Sequence, residues 1–150
     1  MNNSSQIPPY TERVLPGLAY FASTLVIPVI SFLVSLPFGE YLSYSIAIGL
    51  EITIVLLGVI NSPVIRIDSA ELRVGKASIA RKFVGKVELI SRSESFVAKG
   101  RGLNPMAHIR FQFGVKGLVK ITLDDVNDPT PYWLVSTRNP ELVAKRLKTN

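Results

Sequence analysis

The sequence predicts a membrane α-helical hairpin of two transmembrane helices followed by a small α+β cytoplasmic domain, and three observations predict it. Two apolar runs, Val14 to Phe38 and Tyr41 to Ile65, are separated only by Gly39 and Glu40. The first holds no charged residue and the second only Glu51, so each supplies the ~20 helical residues that cross a hydrocarbon core about 30 Å thick. Beyond Pro63 the apolar period changes from helical to alternating, the signature of short strands with one buried face. The domain organisation expected is a disordered N-terminal segment 1–13, the hairpin 14–65, and a β-rich domain 66–150 with a C-terminal helix.

Composition agrees with this division and excludes several chemistries. The chain of 150 residues is 47% hydrophobic, but most of the excess lies in the two runs. The segment C-terminal to them is at the small end of what forms one soluble core. There is no cysteine, which removes disulfides, zinc–thiolate sites and cysteine nucleophiles. The Lys and Arg bias sets the expected orientation: Arg13, Arg66, Arg73 and Lys76 flank the hairpin on its terminal side, whereas the turn side has only Glu40. Both termini are therefore expected in the cytoplasm, with the protein a two-span resident of the inner membrane. The first run is too long for a secretory signal, its leading segment carries a lone Arg13, and it lacks a small-x-small cleavage site.

Along the chain, Met1 to Gln6 is polar and expected to be disordered, and Tyr10 and Arg13 suit a headgroup layer. Pro16 is expected in the first helical turn, where its missing N–H costs nothing. Pro28 lies in mid-helix, deprives the Thr24 carbonyl of its donor, and should kink the segment. Thr24, Pro28, Ser31 and Ser35 share one helical face; Tyr44, Ala47, Glu51 and Gly58 form the answering face, small enough for close backbone approach. Strands are expected at 64–68, 72–75, 77–80 and 83–90. Residues 95–98 read as a short strand or a helical turn. A hairpin of 107–113 with 117–123 turns around Gly114, a last strand covers 132–136, and Asn139-Pro140 starts a helix to about Leu147. Six or seven short strands closed by one helix is the order of pleckstrin-homology-like split barrels, an analogy of fold alone.

The residues Tyr10-Thr11-Glu12-Arg13-Val14, Ile65-Arg66-Ile67-Asp68 with Glu71-Leu72-Arg73-Val74-Gly75, and above all Asp128-Pro129-Thr130-Pro131-Tyr132-Trp133-Leu134-Val135-Ser136-Thr137-Arg138 resemble a family. It is a group of small, two-span actinobacterial membrane proteins of unknown function, of the alanine-rich transmembrane type. This chain carries less alanine and fewer tryptophans in its spans. The resemblance implies the two-span topology and supplies no catalytic residue.

Among candidate sites, Glu51 is the sharpest, because an ionisable group at mid-span is expected to be protonated or partnered. It could fasten the hairpin through Thr24 or Ser31, contact another membrane subunit, or relay protons. The second signal is basic: from Arg66 onward sixteen Lys and Arg face eight Asp and Glu. Arg66, Arg73, Lys76, Arg81, Lys82 and Lys86 fall in one short span and could meet anionic phospholipid headgroups, or simply obey the positive-inside bias. Tyr132 and Trp133 alternate on a strand, so one ring is expected in the core and the other is a candidate interface, with Trp133 the preferred core residue. His108 reads as a structural or surface residue. The run Asp124-Asp125-Val126-Asn127-Asp128 lacks the spacing of a calcium loop, and no nucleophile elbow or phosphate loop is present. No catalytic, metal or cofactor site is expected, and no nucleic acid. The reading is a non-enzymatic accessory or scaffold subunit of a larger respiratory or cell-envelope complex, with an anionic-lipid-binding module as the alternative. An enzyme acting on lipid intermediates is the third and weakest.

Overall fold

The computed structural model describes residues 9–148, so the disorder expected for Met1 to Gln6 lies outside the described residues. The chain divides into two compact units, one of Leu15–Ser62 and one joining the segment up to Val14 to Pro63–Asn150. This corrects the expected boundaries 1–13, 14–65 and 66–150. Tyr10–Arg13 is not disordered but forms strand β1, antiparallel to β2 (Val64–Ile67), with Tyr10 opposite Ile67 and Arg13 opposite Val64. The Val14 N–H extends the ladder by donating to Pro63 O at 2.9 Å. The alternating Val64-Ile65-Arg66-Ile67 needs a partner for its N–H and C=O groups, and the partner comes from before the helices. Tyr10 and Arg13, expected in a headgroup layer, are thus strand residues.

The helical unit holds α1 (Leu18–Thr24), α2 (Val26–Ser35), a 3-10 turn over Leu36–Phe38, and α3 (Glu40–Ile60). Pro16 precedes the first helix, whose N-cap is Gly17, so it does not occupy the helical turn expected for it. The break between α1 and α2 falls at Leu25, where Pro28 has no N–H to return to Thr24 O and its ring crowds that carbonyl. Gly39 makes the turn at φ +116°, a backbone conformation that side chains disfavour. Ile27, Val34, Ile48 and Leu57 are all more than half exposed. Helices apolar on every side belong inside a large core or in lipid. The stretches Leu18–Phe38 and Glu40–Ile60 are each 21 residues, long and apolar enough to cross a membrane.

The other unit is α+β. Its first sheet has the order β1-β2-β3-β4, with β3 (Glu71–Val74) and β4 (Ala77–Ala80) added as antiparallel neighbours. The β2–β3 turn is held by Asp68, whose Oδ1 accepts from the N–H groups of Ala70 and Glu71. The second sheet has the order β5-β7-β8-β6, built from β5 (Val84–Ile90), β6 (His108–Arg110), β7 (Leu118–Leu123) and β8 (Tyr132–Ser136). Helix α4 (Arg92–Lys99) comes after β5 and is opened by a reciprocal Ser91–Glu94 capping box. It takes up residues 95–98. Helix α5 (Pro140–Lys148) closes the unit.

Two expectations fail here. Residues 107–113 and 117–123 do not form a hairpin: β6 runs parallel to β8, with His108 opposite Trp133, while β7 lies between β5 and β8. Strand β7 buries Leu118 and Ile121 almost completely, from opposite faces, and so takes a central place; β6 is only three residues long and carries Arg110, which suits an edge. Nor do the strands close a split barrel. A 3-10 turn at Arg81–Phe83 separates β4 from β5, and the two remain in different sheets. One core joins them: Ile65, Leu72 and Val74 of the first sheet cluster with Val119, Trp133 and Val135 of the second and with Val143 and Leu147 of α5.

Candidate functional site

Within the helical unit, Glu51 stands near the middle of α3 and is only partly covered. Thr24, 5% exposed at the end of α1, faces it with Oγ1 2.9 Å from Glu51 Oε1. The same Oγ1 lies 2.9 Å from Phe21 O, and with a single proton it donates to one acceptor at a time. Glu51 Oε2 is shut off from solvent and has no hydrogen-bond partner among the described residues. Ser31, expected beside Glu51, is elsewhere. Its hydroxyl turns back onto its own helix, to Ile27 O at 2.9 Å and Pro28 O at 3.1 Å, the local bond that a mid-helix serine makes when no other acceptor reaches it.

The rest of the hairpin interface is built from close approach. Tyr20 donates to Ile54 O at 2.8 Å and lies against Gly58, where a Cβ would run into the phenol. Phe32 and Tyr44 meet with ring centroids 4.9 Å apart. Beside these contacts an open groove of about 450 Å³ runs along α2 and α3, lined by apolar residues including Leu25, Pro28, Phe32 and Ile48, with Glu51 as its one ionisable group besides the Tyr44 phenol.

The six basic residues do not converge. Arg66 and Arg73 are directly opposite each other on the exposed face of the first sheet, and Arg73 also pairs with Glu71 at 2.8 Å. Lys76 is exposed in the β3–β4 turn. Lys82 lies over the Phe83 ring at 4.7 Å, and Lys86, on the other sheet, pairs with Glu88 at 2.5 Å. Arg81 must be withdrawn from a lipid-facing set: it is 6% exposed, and its guanidinium donates to Asp68 O, Arg146 O and Leu147 O. Burial lowers its pKa from the ordinary arginine value, with Asp68 acting in the opposite direction. The reason is helical: the last carbonyls of α5 lack intrahelical partners, and a cation satisfies them.

Trp133 is 4% exposed, at the centre of the shared core, while Tyr132 is partly covered beneath Lys120, whose Nζ is 4.6 Å from the ring centre. The Tyr132 hydroxyl accepts from Asn104 N–H at 2.9 Å, which ties the 101–107 loop to β8. The His108 ring lies 4.9 Å from that of Trp133, its Nε2 is buried without a partner among the described residues, and desolvation holds its pKa below the usual histidine value. One cluster was not anticipated. Glu12, 8% exposed on β1, accepts from Thr137 Oγ1 at 2.5 Å, from Arg138 N–H at 2.7 Å and from Tyr10 Oη at 2.8 Å. It fastens the first described strand to the start of α5. Thr11, Glu12 and Arg13 are three polar residues in a row, so no alternation in the sequence signals this strand or its buried carboxylate.

Taken together, the chain is of the class with two membrane-length apolar helices inserted in an α+β unit. It belongs to the family described as "Protein of unknown function (DUF3093)", which matches residues 9–147. No curated protein and no solved structure matches it.

Proposed function

We propose that this protein is a non-enzymatic, two-span inner-membrane protein that serves as an accessory or scaffold subunit of a larger membrane complex, with both termini cytoplasmic. The observation that carries the reading is the Glu51 carboxyl at mid-helix, one oxygen on Thr24 and the other buried and unpartnered beside an apolar groove. A polar group in hydrocarbon is costly and is retained where it meets another polar group. Two helices cannot enclose a path, which argues against a proton relay. The test is mild-detergent purification at endogenous level, with mass spectrometry of what accompanies the protein, run beside Glu51→Leu. A fixed set of membrane subunits in stoichiometric amount, depleted in the variant, is the expected result; lipid alone would sink the reading.

A second reading, an anionic-lipid-binding module, is favoured by one feature. Arg66 and Arg73 stand as like charges directly across a strand pair, a repulsion that Glu71 offsets on the Arg73 side, and a further anion at Arg66 would relieve the rest. The test is reconstitution into nanodiscs of rising anionic lipid content. Stability that rises with anionic lipid in the natural chain, and not in Arg66→Gln/Arg73→Gln, supports this reading; parallel behaviour removes it.

A further inference from the structure

We infer that the exposed face of the first sheet binds the phosphate of an anionic phospholipid of the host bilayer, with Arg66 and the Thr11 hydroxyl as its donors and Arg13 and Lys76 beside them. The inference rests on the anionic-lipid reading and names the residues and the ligand group.

The strand register brings these groups together. Ile65, Ile67, Leu72 and Val74 fill the core, so the residues between them on β2 and β3 point the other way. Glu12 is likewise buried, which turns Thr11 and Arg13 to the outer face of β1. Thr11, Arg66, Arg73 and Ser78 are directly opposite one another across β1, β2, β3 and β4, and all four are exposed. Arg13 opposes Val64, and the Gly75 N–H donates to Val64 O at 2.9 Å, so Lys76 in the β3–β4 turn lies at the Arg13 end of the sheet. Neighbouring strands are ~4.8 Å apart and same-face residues of one strand ~6.7 Å, so one phosphate can bridge Thr11, Arg13 and Arg66.

Three observations point to a lipid phosphate. The side chains of Arg66, Lys76 and Thr11 make no hydrogen bond or ion pair among the described residues, whereas Arg73 already has Glu71. A guanidinium beside a hydroxyl is a donor set that phosphate oxygens satisfy. Charge also changes sign along the strands, with Arg13 and Lys76 at the Val64 end and Glu71 and Asp68 at the Ile67 end. The positive end is the tethered one. Val64 follows Ile60, the last residue of a membrane-length helix, by four residues, which span at most ~14 Å. The polar layer of a bilayer extends ~5–7 Å beyond its hydrocarbon. The chain itself therefore keeps this end within reach of lipid phosphates, an advantage that a soluble phosphate lacks.

The test is native mass spectrometry of the full chain in mild detergent with equal amounts of phosphatidylglycerol and phosphatidylcholine, which share the phosphate and differ in net charge. The natural chain should retain phosphatidylglycerol in preference, and equimolar inorganic phosphate should not displace it. Arg66→Gln/Lys76→Gln should lower the preference about twentyfold, at about fivefold for each charge near the surface. Lys82→Gln/Lys86→Gln removes as much charge from outside this face and should leave the preference unchanged. Thr11→Val alters no charge and should lower it about threefold, the ratio that one lost hydrogen bond sets. Emission of the single tryptophan checks that each variant keeps its fold, and Thr11→Val decides if a double variant does not. Equal losses in the two double variants overturn the inference while the lipid reading stands, since net charge alone then attracts the lipid. A Thr11→Val chain with full preference overturns it as well. Displacement by inorganic phosphate would make the ligand a soluble anion and overturn the lipid assignment. No preference in the natural chain ends both this inference and the lipid reading.

Discussion

At the scale of single residues, the polar groups that matter most are those that hold chain segments together. Glu12 gathers three donors in a nearly closed site, and one of them, the Tyr10 phenol, is pushed up to about 12 by burial and by its bond to Glu12. The favoured form is the neutral phenol. Its stabilisation is complete below the ordinary tyrosine pKa of ~10 and is lost as pH rises through about 12. Denaturant unfolding in mild detergent, followed by the emission of the single tryptophan, should therefore show an alkaline loss of stability that Tyr10→Phe flattens. An unchanged slope in that variant would dismiss the assignment. Arg81 makes the second residue-scale prediction. Arg81→Met keeps most of the apolar stem but abandons the carbonyls of Arg146 and Leu147, and should cost about 2–3 kcal/mol in the same assay. A change within ~0.5 kcal/mol, typical of a surface site, would return Arg81 to the exposed basic set.

At the scale of elements, hydrophobic run length made the helices legible, and alternation made most strands legible. The break at Leu25 could be expected from Pro28, because proline acts on a carbonyl four residues back. What could not be read was pairing. Val119 and Ile121 alternate as well for a hairpin partner as for a central strand, and only the demand to cover both faces of β7 decides between them. Site residues divided in the same way. Thr24 and Glu51 meet because helical period and turn position fix their depths, whereas the self-satisfied Ser31 and the inward Arg81 depend on local carbonyls that composition does not display. The hairpin contact itself is testable. Gly58→Ala should displace the Tyr20 phenol and remove its bond to Ile54 O, at a cost of about 1 kcal/mol by circular dichroism of thermal unfolding. In a double-mutant cycle with Tyr20→Phe the two losses should overlap. Simple addition would mean that the two residues act independently.

At the scale of the molecule, the helices interrupt a sheet. β1 and β2 are paired along their full length, and Val14 bonds Pro63 where the chain leaves and re-enters the α+β unit. Deleting Leu15–Ser62 and joining Val14 to Pro63 through a short Asn-Gly turn should therefore leave a water-soluble, folded unit with the tryptophan emission of the full chain. An aggregated or molten product would show that the unit needs its helices to fold. No period or composition shift in the sequence announces this arrangement, because β1 is only four residues long and its partner lies beyond both apolar runs.

The interruption also sets an order in time. During synthesis at ~5–20 residues per second, β1 is made first and must wait several seconds while roughly fifty residues of helix pass before its partner appears. Glu12 waits longer still, until Thr137 and Arg138 are made. A chain whose second helix failed to run back beside the first would hold β1 and β2 apart, leaving Ile65 and Ile67 without the strand that pairs with them on that edge. Closure of the sheet thus depends on the return of the second helix, and a chain that misses it keeps an unpaired edge on β2.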